Sequence, residues 1–170
     1  MEAAHSRLQD ELHQSRPFES AQQEALLAVL KTADVLRRRL GAALAPHSIT
    51  AQQYNVLRVV RGAGPAGIPT LSIGERLIET TPGLTRLVER LETKGWLVRR
   101  QSAADRRQVL CRLTPAGAKL LARLDPVMNE ARGFTGALGT PEAARLIALL
   151  EQVRANTNEY EEQCNEVDDN

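Results

Sequence analysis

Residues 104–117 read ADRRQVLCRLTPAG and set two adjacent arginines, Arg106 and Arg107, between the acid Asp105 and the amide Gln108. Val109, Cys111 and Leu113 then alternate with Leu110 and Arg112, and Thr114-Pro115 has the look of a helix start. A basic tip on a two-stranded ribbon has an obvious use, which is to hold a polyanion. Laid along a duplex, it can insert one arginine into the narrow minor groove, whose negative potential favours a guanidinium. Asp105 then reads as a brace that pairs with one arginine. A surface ion pair is worth only ~0–1 kcal/mol, so its value would be geometric. The alternative is a solvated loop that is basic by chance.

A second group of residues lies just upstream. Leu84, Leu87, Val88 and Leu91 recur at i, i+3, i+4 and i+7, one apolar face of a helix from Pro82 to Lys94. Burying them turns Thr85, Arg86, Glu89 and Arg90 outward. Arginine in the major groove can read guanine O6 and N7 with two hydrogen bonds. Thr81, Pro82 and Gly83 are small, so the helix can enter a groove end-first with its free N–H groups toward a phosphate. Thr81 is expected as the N-cap and Pro82 in the first turn. A lone helix of this kind is most often an ordinary solvated face. The tight turn before it and the ribbon after it favour the DNA reading.

No other constellation competes. There is no Ser/His/Asp set, paired carboxylate or phosphate-cradling glycine loop, and GAGPAG at 62–67 sits between helices with a proline in it. His5, Glu11 and His13 lie on a polar arm and His47 stands apart, so no metal is expected. Cys111 is expected as a buried strand residue and Cys164 as a passive thiol in an acidic segment. Trp96, after the glycine at 95, is expected as an anchor of core or ribbon. The chain is therefore expected to be no enzyme and to carry no cofactor. No run of 18 apolar residues occurs and the first residues are not signal-like, which points to the cytoplasm.

Several elements must position these groups. Residues 1–18 read as a polar arm, mobile or partly helical. A long helix over 19–46 carries Leu26, Val29, Leu30, Ala33, Leu36, Leu40 and Leu44 as a stripe. Thr50 and Gln53 form a capping box for the next helix, with Ile49 stapling onto Tyr54. A short helix from Thr70 puts Leu71, Gly74, Leu77 and Ile78 on one face, with Gly74 allowing a close neighbour, and precedes the helix from Pro82 in a helix-turn-helix pattern. Trp96–Arg100 and 109–113 make the ribbon. Helices over 114–165, interrupted by the glycines 133, 136 and 139, lead to an acidic tail at 166–170. Long amphipathic helices need a partner for their stripes, and a two-fold homodimer supplies one.

Charge follows the same division. The net charge of the chain is +1. Residues 76–112 carry +5, whereas residues 151–170 carry −6. A basic middle and an acidic end suit a chain that meets nucleic acid on one face only.

Residues 71–121 resemble the MarR (multiple antibiotic resistance) family of bacterial transcription regulators. LTRLVERLETKGWLVRR and DRRQVLCRLTPAGAKLL carry the likeness, above all D-x-R followed by L-T-x-x-G at Asp105, Arg107, Leu113, Thr114 and Gly117. The resemblance implies a mainly α fold with a small β-wing. Its core is a winged helix-turn-helix DNA-binding domain, 50–113, flanked by long N- and C-terminal dimerisation helices. It implies DNA contacts from Thr81, Pro82, Gly83, Thr85, Arg86 and Arg90 on the recognition helix, and from Asp105, Arg106, Arg107 and Gln108 on the wing. It further implies a homodimeric repressor on a pseudo-palindromic operator of double-stranded DNA, commonly released by a small-molecule effector. The runner-up is a winged-helix module that binds protein instead.

Overall fold

A computed structural model describes residues 6–102, 105, 107–133 and 138–168. Arg106, His5 and Gly136 lie outside the described residues. The chain divides into two compact units, Met1–Ala131 and Arg132–Asn170.

The first unit opens with a short helix, α1 (Arg7–Glu11), within the polar arm expected to be mobile or partly helical. Its cause is local and legible: Ser6 caps the Gln9 amide while the Gln9 side chain accepts from the Ser6 amide, a capping box. Gln9 is buried and its Nε2 donates to the Arg16 carbonyl at 3.1 Å, folding the arm back on itself. Helix α2 (Ala21–Leu44) follows, capped by Ser20. Its apolar stripe divides in two. Leu44 is fully buried and Leu40 packs against the core, but Leu26, Val29 and Leu30 stay exposed. A 3-10 turn at Ala45–His47 ends in Ser48, at φ +54°. Thr50 and Gln53 then close the expected capping box on α3 (Ala51–Gly62). Ile49 and Tyr54 enter the same buried cluster.

The sheet has three strands where the sequence suggested a two-stranded ribbon. β1 (Ile68–Pro69) pairs antiparallel with β3 (Val109–Leu113), which pairs antiparallel with β2 (Leu97–Gln101). Pro69 is tolerated because β1 is an edge. Two residues are too few to show a period, so the strand leaves no mark in the sequence. Gly67, at φ +82°, lets the chain pass close to the backbone of β3: a Cβ there would meet the Cys111 carbonyl oxygen and the Arg112 side chain.

Helix α4 (Thr70–Gly74) is a single turn and a half. The face expected on it is not formed, because the helix stops at Gly74. Ile73 is the residue it buries, while Leu71 and Ile78 are 78% and 87% exposed. The close approach at Gly74 is real: a Cβ there would lie 3.2 Å from Leu84 Cδ2. Helix α5 (Leu84–Thr93) begins later than expected, so the link from α4 is longer than a tight turn. Gly83, at φ +76°, is its N-cap, and no side chain caps it. Thr81 closes the preceding turn instead, its hydroxyl donating to the Glu79 carbonyl at 3.1 Å. Helix α6 (Pro115–Arg132) starts after Thr114 and includes Pro126. Leu120, Leu121, Leu124 and Met128 carry α6 into the core with Val56, Leu57, Val60, Val88, Leu91 and Leu97.

The second unit is built on α7 (Thr140–Asp168), within which Cys164 falls. Leu146, Ile147, Leu149 and Val153 are about half exposed on it. Among the described residues, no helix is long and apolar enough to cross a membrane.

Candidate nucleic-acid interface

Helix α5 has the amphipathic division its sequence dictates. Leu87, Val88 and Leu91 are buried and Leu84 packs partly against the same core. Thr85, Arg86, Glu89 and Arg90 are all exposed. Pro82 and Gly83 are exposed just ahead of the helix, and Thr81 is half-buried. The first N–H groups of α5 therefore lie beside small residues, with no side-chain capping bond among the described residues.

The other end of α5 is closed tightly. Gly95, at φ +70°, donates to Glu92 at 2.8 Å and Trp96 donates to Leu91 at 3.0 Å, a Schellman stop. The Thr114 hydroxyl donates to the Gly95 carbonyl at 2.6 Å and accepts from the Gly117 amide at 3.0 Å. A Cβ at Gly117 would run into the Trp96 carbonyl. The L-T-x-x-G pattern is thus a clasp: it seats the start of α6 on the end of α5, and only glycine fits beneath. Lys94 adds a second tie. Its Nζ lies 4.5 Å from the Trp96 ring centroid and donates to the Ser48 carbonyl at 2.9 Å. Trp96 is half-buried against the core, an anchor as expected.

The strand that follows is bound back to α5 by one arginine. Glu92 accepts from the Arg99 amide at 2.9 Å and from Arg99 Nε at 2.7 Å, and Arg99 Nη1 reaches Glu89 Oε1 at 3.4 Å. The Arg99 backbone amide, and then its side chain, hold the Glu92 carboxyl below the usual carboxylate range. The hydrogen bond to Glu92 in turn raises the Arg99 guanidinium. Neither Glu92 nor Arg99 is marked as a site residue by the sequence. Their signal is separation: seven residues apart across a helix stop, they meet only once the chain has turned.

Asp105 braces the wing tip through a backbone and an amide contact, and Arg106, one of the two arginines expected to pair with it, lies outside the described residues. Asp105 accepts from the backbone amide of Arg107 at 2.9 Å, through Oδ1. Its Oδ2 accepts from Gln108 Nε2 at 3.2 Å, and its carbonyl from the Gln108 amide at 3.0 Å. The carboxylate therefore shapes the turn rather than occupying the Arg107 guanidinium, which is exposed and makes no ion pair among the described residues. A side chain that reaches its own backbone two residues on is an Asx turn, which explains an acid at this place. Gln108 is part of this brace.

Cys111 is fully buried on β3, and burial pushes its thiol up, against a contact at 3.6 Å with the Thr70 hydroxyl. It is a packing residue, opposite Ile68 on one side and Arg99 on the other.

A helix with a basic outward face, seated between a helical core and a three-stranded wing with a braced tip, defines a winged helix-turn-helix DNA-binding regulator. The MarR family profile matches residues 49–109. Over 118 residues the chain is 35% identical to the multiple antibiotic resistance protein MarR of Salmonella typhimurium, spanning 68% of this chain and 81% of that one. Among solved structures, a MarR transcription factor from Planctomyces limnophilus is 35% identical with a TM-score of 0.61, over 80% of this chain and 99% of that one. A mutant MarR from E. coli complexed with operator DNA is 29% identical with a TM-score of 0.66, over 87% of this chain and 99% of that one. The chain belongs to the MarR family of DNA-binding transcriptional regulators, a family without enzymatic activity.

Proposed function

We propose that the chain acts in the cytoplasm as a homodimer that binds a pseudo-palindromic operator with sequence preference. It represses the promoter it covers and is released by a small-molecule effector. The observation that carries this reading is the exposed set Thr85, Arg86 and Arg90 on a helix whose opposite face and C-terminal end are both fixed. Rigid presentation matters because a bidentate contact from arginine to guanine depends on direction as well as charge. Thr81, Pro82 and Gly83 would meet the backbone at the helix start. Asp105, Arg106, Arg107 and Gln108 would form the wing contact, with Arg107 entering the minor groove.

The dimer rests on apolar surface left open on the first and last long helices. Leu26, Val29 and Leu30 of α2, and Leu146, Ile147, Leu149 and Val153 of α7, are more exposed than a stable monomer favours. An isologous two-fold interface covers such stripes with copies of themselves. Two recognition helices would then address half-sites about one helical turn apart, ~34–36 Å. The effector rests on family membership alone.

The test is binding of the purified protein to the promoter DNA beside its own gene, across a salt series, against scrambled DNA of equal length. Tight binding that prefers the native sequence and weakens with log salt at about −0.9 per phosphate contact is the expected result. Equal binding to both duplexes would reduce the protein to a basic duplex binder.

A further inference from the structure

Glu89 is the acid on the face that is otherwise Thr85, Arg86 and Arg90. At about 100° per residue, Leu84, Leu87, Val88 and Leu91 define the buried side of α5. The middle of the opposite side then falls between Glu89 and Arg86, with Arg90 further round. Glu89 is thus nearer the centre of the outward face than Arg90 is. It stands one turn beyond Thr85 and Arg86, at i+4 and i+3. A carboxylate in that position repels phosphate on every DNA sequence, so it calls for an offsetting partner.

The structure supplies half of one. Arg99 Nη1 contacts Glu89 Oε1 at 3.4 Å, a long contact, while the Arg99 amide and Nε are taken by Glu92 at 2.9 and 2.7 Å. Arg99 is thereby fixed and Glu89 is only steadied, with Oε2 unpartnered among the described residues and about half of its side chain exposed. An ionised carboxylate accepts hydrogen bonds and donates none. In the major groove two bases present an amino donor, cytosine at N4 and adenine at N6; adenine sets the acceptor N7 beside it, which a carboxylate repels, so cytosine N4 is the better match. Guanine presents acceptors, O6 and N7, that a carboxylate repels.

We propose that Glu89 is a specificity-determining residue that accepts from cytosine N4 in the major groove and excludes guanine at the same position, with Arg99 as its positioning residue. The inference rests on the proposed docking of α5 in the major groove. It adds one base pair per half-site at which an acid, not an arginine, sets the preference.

The experiment is selection of binding sites from randomised duplexes by the full chain, run in parallel with E89Q, E89A and R99Q. For the wild type, a cytosine preference at one position in each half-site is expected. Glutamine both donates and accepts, which suits adenine. E89Q should therefore move that position toward adenine or flatten it, with about a tenfold loss of discrimination against guanine, and leave the other positions unchanged. R99Q should weaken the preference at the same position only; if it keeps the preference in full, Arg99 has no positioning role. Should E89Q and E89A bind every duplex more tightly by one common factor with an unchanged profile, Glu89 is merely a charge held off the DNA and the proposal falls. A wild-type profile with no preference anywhere is a different failure, of sequence-specific binding itself, and takes this inference with it.

Discussion

Replacing Gly117 by alanine sets two opposed effects against each other in one helix turn. Alanine is favoured over glycine in a helix by about 0.8–1 kcal/mol, because glycine loses more backbone freedom on folding. Gly117 lies in the first turn of α6, where its amide donates to the Thr114 hydroxyl. Against that gain stands the Trp96 carbonyl, into which the new Cβ would project. The obstacle is backbone, and it belongs to the segment that closes α5, so it cannot rotate aside as a side-chain end would. Overpacking of this kind costs about 1–3 kcal/mol; with backbone as the obstacle the upper part of that range, about 2–3 kcal/mol, applies and exceeds the propensity gain. G117A is therefore expected to lower stability by about 1–2 kcal/mol. Chemical unfolding at fixed protein concentration measures it, since the apparent stability of an oligomer depends on concentration. Gly41, inside α2 with nothing within 4 Å of a Cβ, is the control. There the propensity effect acts alone, and G41A should gain up to about 1 kcal/mol. G117A as stable as the wild type, or more so, would refute the clasp between Thr114, Gly117 and the end of α5.

The wing and the helix face separate in their DNA effects. R107A is expected to weaken operator binding and leave the unfolding midpoint unchanged, because the Asp105 brace holds the Arg107 amide rather than its guanidinium; unchanged affinity in a binding titration would remove the wing from the mechanism. R86A and R90A should each relax base preference at a cost of ~1–3 kcal/mol where the arginine makes a bidentate guanine contact. Equal loss on every sequence would make them phosphate contacts. Glu92 gives a pH signature. Its folded pKa is depressed, so its contribution is present above the unfolded carboxylate value and is lost as pH falls through the folded one. The stability gap between wild type and E92Q should be full near pH 7 and shrink progressively below about pH 4.5; a gap that does not change with pH would mean that the Glu92 charge contributes nothing.

The sequence disclosed this fold unevenly, and the reasons are physical. The face of α5, the box at Thr50 and the helix start at Thr114 are set by neighbours within four residues, and each appears where the pattern puts it. The start of α5 does not. Thr81 and Pro82 are good first-turn residues, but the chain must first bring Ile73 and Leu77 into the core. Gly83 makes the reversal at positive φ and the helix begins after it. The capping chemistry at Thr50 recurs at Ser6 and Gln9, where the polar composition allows a partly helical arm but marks no boundary for it. β1 was invisible for a different reason. Its pairing with β3 joins residues more than 40 apart, and nothing local encodes it. The candidate DNA face was legible to the extent that it is a helix face. The Arg99 tie across α5 and β2 needed the fold.

Helix α5 is held at both ends by contacts that lead back to α2 and to the corner that follows it. Ahead of it, Arg37 of α2 donates through Nε to Glu79 at 2.8 Å, just before the turn at Thr81. Behind it, Lys94 donates to the carbonyl of Ser48, at the corner where α2 gives way to α3. The first tie is an exposed ion pair, worth about 0–1 kcal/mol and weakened by salt. The second is one charge-assisted bond backed by the Trp96 ring. Between them α5 also bears on β2 through Arg99, so the helix and the wing share one support. A shift of α2 would act on the turn ahead of α5 through Arg37 and Glu79. The weaker tie is the one beside the small residues that open the helix, and this is where the proposed operator contacts begin. If the proposed effector acts through α2, it would change the approach of the helix start before it disturbed the buried face of α5, where Val88 and Leu91 are fully enclosed.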